Sequence, residues 1–151
     1  DRGLVGSEMC IRDRKYIDTG KVQLEFIDYP LDRLAVIAAT LARSIPTKDG
    51  YIEAVSILLK KQKQWAYSKN PLNELQSIAK LFGISSKKFN DISQNIPLMQ
   101  EIVTKMEKES KNFDINSTPT FIVNDKYKIS GALSFKDFEK ELLKSINAKK
   151  S

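Results

Sequence analysis

The string Asn116-Ser117-Thr118-Pro119-Thr120-Phe121-Ile122-Val123-Asn124-Asp125 constrains this chain more than any other. Asn116 and Ser117 are turn formers, and the β-branched and aromatic run from Thr120 to Val123 suits a buried strand. Proline is tolerated at the first residue of a strand, where its missing N–H leaves no ladder bond unmade. X-Pro is also the peptide bond for which the cis form costs little, about 0.5 to 1 kcal/mol. Asn124-Asp125 predicts a tight turn, and residues 127–130 a second strand that Gly131 ends. Ser134 with Asp137 three residues later resembles a capping box, and Phe135, Phe138, Leu142, Leu143 and Ile146 recur behind it at helical spacing. The expected order is strand, tight turn, strand, helix.

That ending resembles the second half of a thioredoxin fold, in which a Thr-Pro with a cis bond precedes a core strand. More narrowly, Thr118-Pro119-Thr120-Phe121-Ile122-Val123-Asn124 followed by Ser130-Gly131-Ala132-Leu133-Ser134 is similar to the DsbA-like thioredoxin-domain family of extracytoplasmic thiol-disulfide oxidoreductases. An ordinary trans turn proline ahead of a hairpin is the other reading of the same residues.

Composition narrows the chemistry. A chain of 151 residues, 41% hydrophobic and 29% charged, has enough apolar side chain for a core and suits one domain, or one domain with an insertion. The net charge of +6 comes mostly from lysines scattered along the chain, as in Lys60-Lys61, Lys87-Lys88 and Lys149-Lys150. Such scatter reads as solvated helix faces rather than a nucleic-acid stripe, although it favours acidic partners. The chain has no histidine, which excludes His-based triads, His general bases and His-containing zinc sites. Its one cysteine, Cys10, excludes an internal disulfide, a Cys-x-x-Cys pair and a cysteine metal cluster. No Gly-rich phosphate loop is present, and no cofactor or metal is expected.

Residues 1–14 read differently from the rest. Leu4-Val5-Gly6-Ser7-Glu8-Met9-Cys10-Ile11-Arg12-Asp13-Arg14 resembles a translated sequencing-adapter leader, and there is no initiating methionine. Arg2, Arg12 and Arg14 sit here, whereas the later residues carry positive charge mostly as lysine. A junction near Arg14 is expected, with Cys10 outside the native protein. The alternative is a genuine amphipathic start with Cys10 as a real thiol.

Lys15-Tyr16-Ile17-Asp18-Thr19-Gly20 predicts a helix end, Gly20 being suited to positive φ. Residues 22–27 alternate apolar and polar and predict a strand that stops at Asp28-Tyr29-Pro30. From Leu31 to Phe113 the pattern is helical. Leu34, Ala35, Ile37, Ala38, Leu41 and Ala42 mark a first helix, broken by Pro46 and Asp49-Gly50; residues 51–65 form a second. Asn70-Pro71 starts a third, closed by Gly83; Ser85 or Ser86 caps a short fourth. Pro97 opens a fifth with Leu98, Met99, Ile102, Val103, Met106 and Phe113 as its stripe. Trp65 and the methionines read as core.

This order matches the DsbA-like layout over about residues 15–146. The resemblance implies an α/β, thioredoxin-like fold with an inserted all-helical domain. The partial thioredoxin core would be residues 15–30 and 114–148, and the helical insertion residues 31–113, with the first strand and the start of the active-site helix missing. In this family that helix opens with Cys-x-x-Cys, whose first cysteine has a depressed pKa and exchanges through a mixed disulfide. This chain has no such motif, so no catalytic residue is assigned and the chain alone is expected to be inactive. The resemblance assigns substrate binding to Thr118 and Pro119, the backbone of Thr118 pairing with an extended substrate peptide. The implied partners are cysteine-containing exported polypeptides and a redox partner protein, and the implied location is the periplasm or another extracytoplasmic space. Loss of the central strand would expose the edges of residues 22–27 and 120–123, so poor stability or self-association is expected of these 151 residues. Three other readings remain. They are a glutathione-dependent isomerase of the kappa or hydroxychromene-carboxylate type, a non-catalytic peptide-binding module, and a basic nucleic-acid binder.

Overall fold

The computed structural model describes Gly20, Gln23 and residues 25–115, 120–130 and 135–150. The leader at residues 1–14 with Cys10, the expected helix end before Gly20, and Thr118, Pro119, Gly131 and Ser134 lie outside the described residues. The chain divides into two compact units, Ile27–Glu107 and, together, Asp1–Phe26 and Lys108–Ser151.

The first of these units is helical. Helix α1 (Arg33–Arg43) begins where the Asp32 carboxylate accepts the Ala35 N–H at 2.8 Å, which satisfies one of the donors a helix start leaves orphaned. Its Ile37, Ala38, Leu41 and Ala42 are buried, and the alanines let α1 approach its neighbours closely. Thr40, also buried, returns its hydroxyl to the Val36 carbonyl at 2.7 Å.

Helix α2 (Lys48–Lys60) starts earlier than expected. Asp49-Gly50 is not a break but the first turn, because Thr47 Oγ1 accepts the Gly50 N–H at 3.0 Å and Asp49 sits at the positive end of the helix dipole. Gly50 is required there: a Cβ would lie 2.5 Å from Ile45 Cγ2 and 2.7 Å from Thr47 Oγ1. The expected continuous helix to Trp65 is interrupted at Lys61 (φ −98°, ψ 13°), and a separate short helix α3 (Gln62–Ala66) follows. The last carbonyls of α2 need partners, and the buried Trp65 indole donates to that of Leu58 at 2.9 Å.

Helix α4 (Pro71–Lys80) has Asn70 at its cap position and proline in its first turn, but Asn70 makes no side-chain cap bond. Gly83 follows it with φ +74°. Ser85, not Ser86, caps α5 (Ser86–Ser93), accepting the Lys88 N–H at 3.2 Å. Helix α6 (Ile96–Phe113) begins one residue before Pro97, with Asn95 Oδ1 accepting the Leu98 N–H at 3.2 Å. Six helices therefore occupy the stretch in which five were expected, the extra one arising at Lys61. Helix α1 packs on α2, α4 and α5. Leu41, Leu75 and Phe89 are at most 2% exposed, each burial being worth roughly 1.5 to 3 kcal/mol.

The strand expected at residues 22–27 is not found in the part of it that is described: Gln23 and residues 25–27 are outside regular structure. Alternation specifies a face, but a strand exists only when a neighbour completes its ladder. The described sheet has two strands, β1 (Thr120–Val123) and β2 (Tyr127–Ser130), paired antiparallel with Phe121 opposite Ile129 and Val123 opposite Tyr127. Between them Asn124 and Asp125 have φ of +55° and +60°, and Lys126 N–H bonds the Val123 carbonyl at 3.2 Å. Asn and Asp tolerate that left-handed conformation better than other side chains.

Those two directly opposed pairs share one face. Helix α7 (Phe135–Lys150) covers it with Phe138 and Leu142, which are buried with Ile129. The Phe121 and Phe138 rings meet edge to face, centroids 4.6 Å apart. Residues Phe121, Ile122 and Val123 are half-buried rather than buried. Leu143, expected in the apolar stripe of α7, is 44% exposed.

Candidate functional site

The sequence points to the residues between α6 and β1, and both ends of that segment are held. Asp114 leaves α6 with φ +51°, and Ile115 N–H returns to the Ser110 carbonyl at 3.0 Å. Lys128 of β2 donates from Nζ to the Asp114 carbonyl at 3.1 Å, which ties the helix exit to the hairpin. On the other side β1 opens at Thr120, directly after Pro119 in the chain. Thr118 and Pro119 themselves lie outside the described residues, as does Cys10.

A second cluster was not foreseen. The Asp28 carboxylate accepts the Arg43 Nε–H on Oδ2 and the Tyr51 hydroxyl on Oδ1, both at 2.6 Å. The Arg43 guanidinium also lies over the Tyr51 ring, 4.0 Å from its centroid. Burial pushes the Tyr51 phenol well above its ordinary range, the adjacent Asp28 carboxylate adds to the rise, and Arg43 opposes it. Tyr51 is thus a neutral donor to the Asp28 carboxyl group. With a donor on each oxygen, Asp28 holds structure and is poorly placed to accept a substrate proton. The acidic turn Asp28-Tyr29-Pro30 was visible in the sequence, but its partners lie 15 and 23 residues away.

A groove of about 240 Å³ between α3 and α4 is lined by Lys61, Gln64, Trp65, Glu74, Ile78 and Leu81, with Gln64 Nε2 donating to Glu74 Oε2 across it at 3.2 Å. It is below the roughly 300 Å³ at which small-molecule sites begin. Among the described residues no group of three or more His, Cys, Asp or Glu could hold a metal ion, and no helix is long and apolar enough to cross a membrane.

Comparison with known proteins agrees with this architecture. The family model described as Thioredoxin matches residues 11–144. Proteins that carry the name protein-disulfide oxidoreductase in Rickettsia typhi and Rickettsia conorii are each 28% identical over 111 residues, 74% of this chain. The chain spans about 40% of the length of these relatives (41% and 40%). The crystal structure of Wolbachia pipientis α-DsbA1 superimposes with a TM-score of 0.80 at 24% identity, covering 95% of this chain and 79% of that one. A variant of that Wolbachia protein with two cysteines replaced by alanine gives the same TM-score, 0.80. The fold expected from the Thr-Pro string and the helical block is therefore thioredoxin-like, shared with the Wolbachia DsbA1 structures, and the chain belongs to the thioredoxin family.

Proposed function

We propose that this chain serves thiol-disulfide exchange on cysteine-containing exported polypeptides, with Thr118-Pro119 positioning the substrate. The observation that carries the reading is the family match over residues 11–144, which contains the Thr118-Pro119 string directly ahead of β1. The disulfide-oxidoreductase names of the Rickettsia relatives point the same way. In this reading residues 15–30 and 114–148 belong to the thioredoxin-like core, residues 31–113 are its helical insertion, and residues 1–14 are foreign.

The chemistry requires a cysteine pair that these 151 residues do not contain, Cys10 being their one cysteine. The reading assigns that pair to native sequence upstream of Lys15. A substrate thiolate attacks the first sulfur of the protein disulfide, and the second leaves as a thiolate. A second substrate thiolate then attacks the substrate sulfur of the mixed disulfide. Two electrons pass to the protein pair, and the substrate leaves with a new S–S bond; isomerisation and reduction use the same steps in other orders. Thr118 holds an extended substrate chain through its backbone so that the sulfur arrives in line. Extracytoplasmic location belongs to the same reading, because such disulfides persist in oxidising compartments.

Sequencing the source DNA across the junction upstream of Lys15 tests this. A strand followed by Cys-x-x-Cys at the start of the helix expected to end near Gly20, behind an export signal, is the expected result. Serine at the first cysteine position, with glutathione-dependent turnover, would replace the reading with the isomerase.

A further inference from the structure

The chain enters the helical unit at Ile27, through residues 25–31, none of which lies in a helix or strand. The other passage between the two units, at Glu107 and Lys108, lies inside the continuous helix α6. A helix carries its own backbone hydrogen bonds, whereas an irregular segment keeps its course only through what its side chains grip.

Asp28 supplies part of that grip. Asp28 is 12% exposed in its side chain, and its two oxygens are taken by Arg43, the last residue of α1, and by Tyr51, in the early part of α2. Both bonds are 2.6 Å long, and the pair is closed by the stacking of Arg43 on the Tyr51 ring. Charge-assisted bonds at partly buried positions are the stronger kind. Arg43 also lies at the negative end of the α1 dipole, which favours its charge there. Pro30, two residues on, is buried, while Ile27 on the other side is 41% exposed, so the segment is fastened on its inner side and open to water on its outer side.

We propose that Asp28, Arg43 and Tyr51 form a latch that holds residues 27–32 against α1 and α2, and that this segment opens as a local unit, ahead of the helical core, when the latch is broken. The core it would leave behind is centred on Leu75, Ile78, Ala79 and Phe89 in α4 and α5; of the latch residues only Tyr51 is itself buried in the core.

Amide hydrogen exchange on the 151-residue chain, read by peptides covering residues 27–32 and, separately, residues 71–93, tests the proposal. Asp28→Asn keeps the shape but removes the negative charge, so that Arg43 and Tyr51 share a neutral amide in place of a carboxylate that accepts from both. Exchange in residues 27–32 should rise by about tenfold or more, as expected for losing a charge-assisted hydrogen bond, while residues 71–93 exchange as before. Tyr51→Phe keeps the ring under Arg43 and removes one donor; it should give a smaller, equally local rise, and it serves as the test if Asp28→Asn fails to fold. An unchanged rate in residues 27–32, an equal rise in both peptides, or an unprotected segment in the wild type would each overturn the latch.

Discussion

In the helical unit Leu41, Leu75 and Phe89 are at most 2% exposed, whereas the hairpin and α7 bury Ile129, Phe138 and Leu142 and leave Phe121, Val123 and Tyr127 only partly covered. The contrast follows from how the two kinds of element complete themselves. A helix satisfies its own backbone and needs only a face to bury, so several short helices can assemble around small residues such as Ala38, Ala42 and Ala79. A two-stranded ladder is marginal in water until something covers it. Here α7 is that cover. The segment assigned to substrate positioning runs in the chain from α6 to this hairpin.

The largest expected effect separates the two regions. Phe89→Ala opens a cavity in the helical core and should lower the stability of residues 27–107 by about 3 to 5 kcal/mol, measured by denaturant unfolding. If the loss were under about 1 kcal/mol, the helical core would not be as tightly packed as its burial implies. Phe138→Ala removes the partner of Phe121 and should cost roughly 3 kcal/mol, but locally. Amides of β1, β2 and α7 should lose protection while those of α4 and α5 keep theirs. Simultaneous loss in both would mean that the two regions unfold as one.

A third effect is set by pH. The Tyr51 phenol is raised above its ordinary value of 10.0, so the folded chain keeps that proton when the unfolded chain releases it. Its stabilising contribution is whole below pH 10 and is lost as pH climbs beyond it, at up to about 1.4 kcal/mol per pH unit. Wild type should therefore lose stability faster than Tyr51→Phe in strong alkali and at the same rate near neutrality, which paired denaturation curves would show. The smallest expected effect is at a cap: Ser85→Ala removes the acceptor for the Lys88 N–H and should lower the melting midpoint by the equivalent of about 1 kcal/mol.

What could be read from the chain beforehand was local. The β1–turn–β2 sequence follows from β-branched residues either side of Asn124-Asp125, and both turn residues do take positive φ. Gly20 and Gly83 also take positive φ, as their places after helical patterns imply. The break at Lys61 was hidden because the apolar spacing runs on through it; the Lys61 backbone angles and the Trp65 bond to the Leu58 carbonyl mark it in the structure. The alternation at residues 22–27 promised a strand because periodicity describes a face and not a partner. Asp28, Arg43 and Tyr51 could not be grouped at all, since no spacing rule joins residues so far apart. For the candidate site, sequence supplied Thr118 and Pro119, and the structure adds the tether from Lys128 to Asp114 at the segment's entry.

The most direct test of the central claim uses the full-length protein from the source locus, mixed with a reduced cysteine-containing peptide and quenched with acid, with the mixed disulfide counted by mass spectrometry. Pro119→Ala should accumulate that species and slow turnover by about a hundredfold, as a small misplacement of reacting groups does, while the thiol pKa values stay within about one unit of wild type. Turnover and mixed-disulfide levels equal to wild type would remove the Thr118-Pro119 segment from the mechanism and contradict the account.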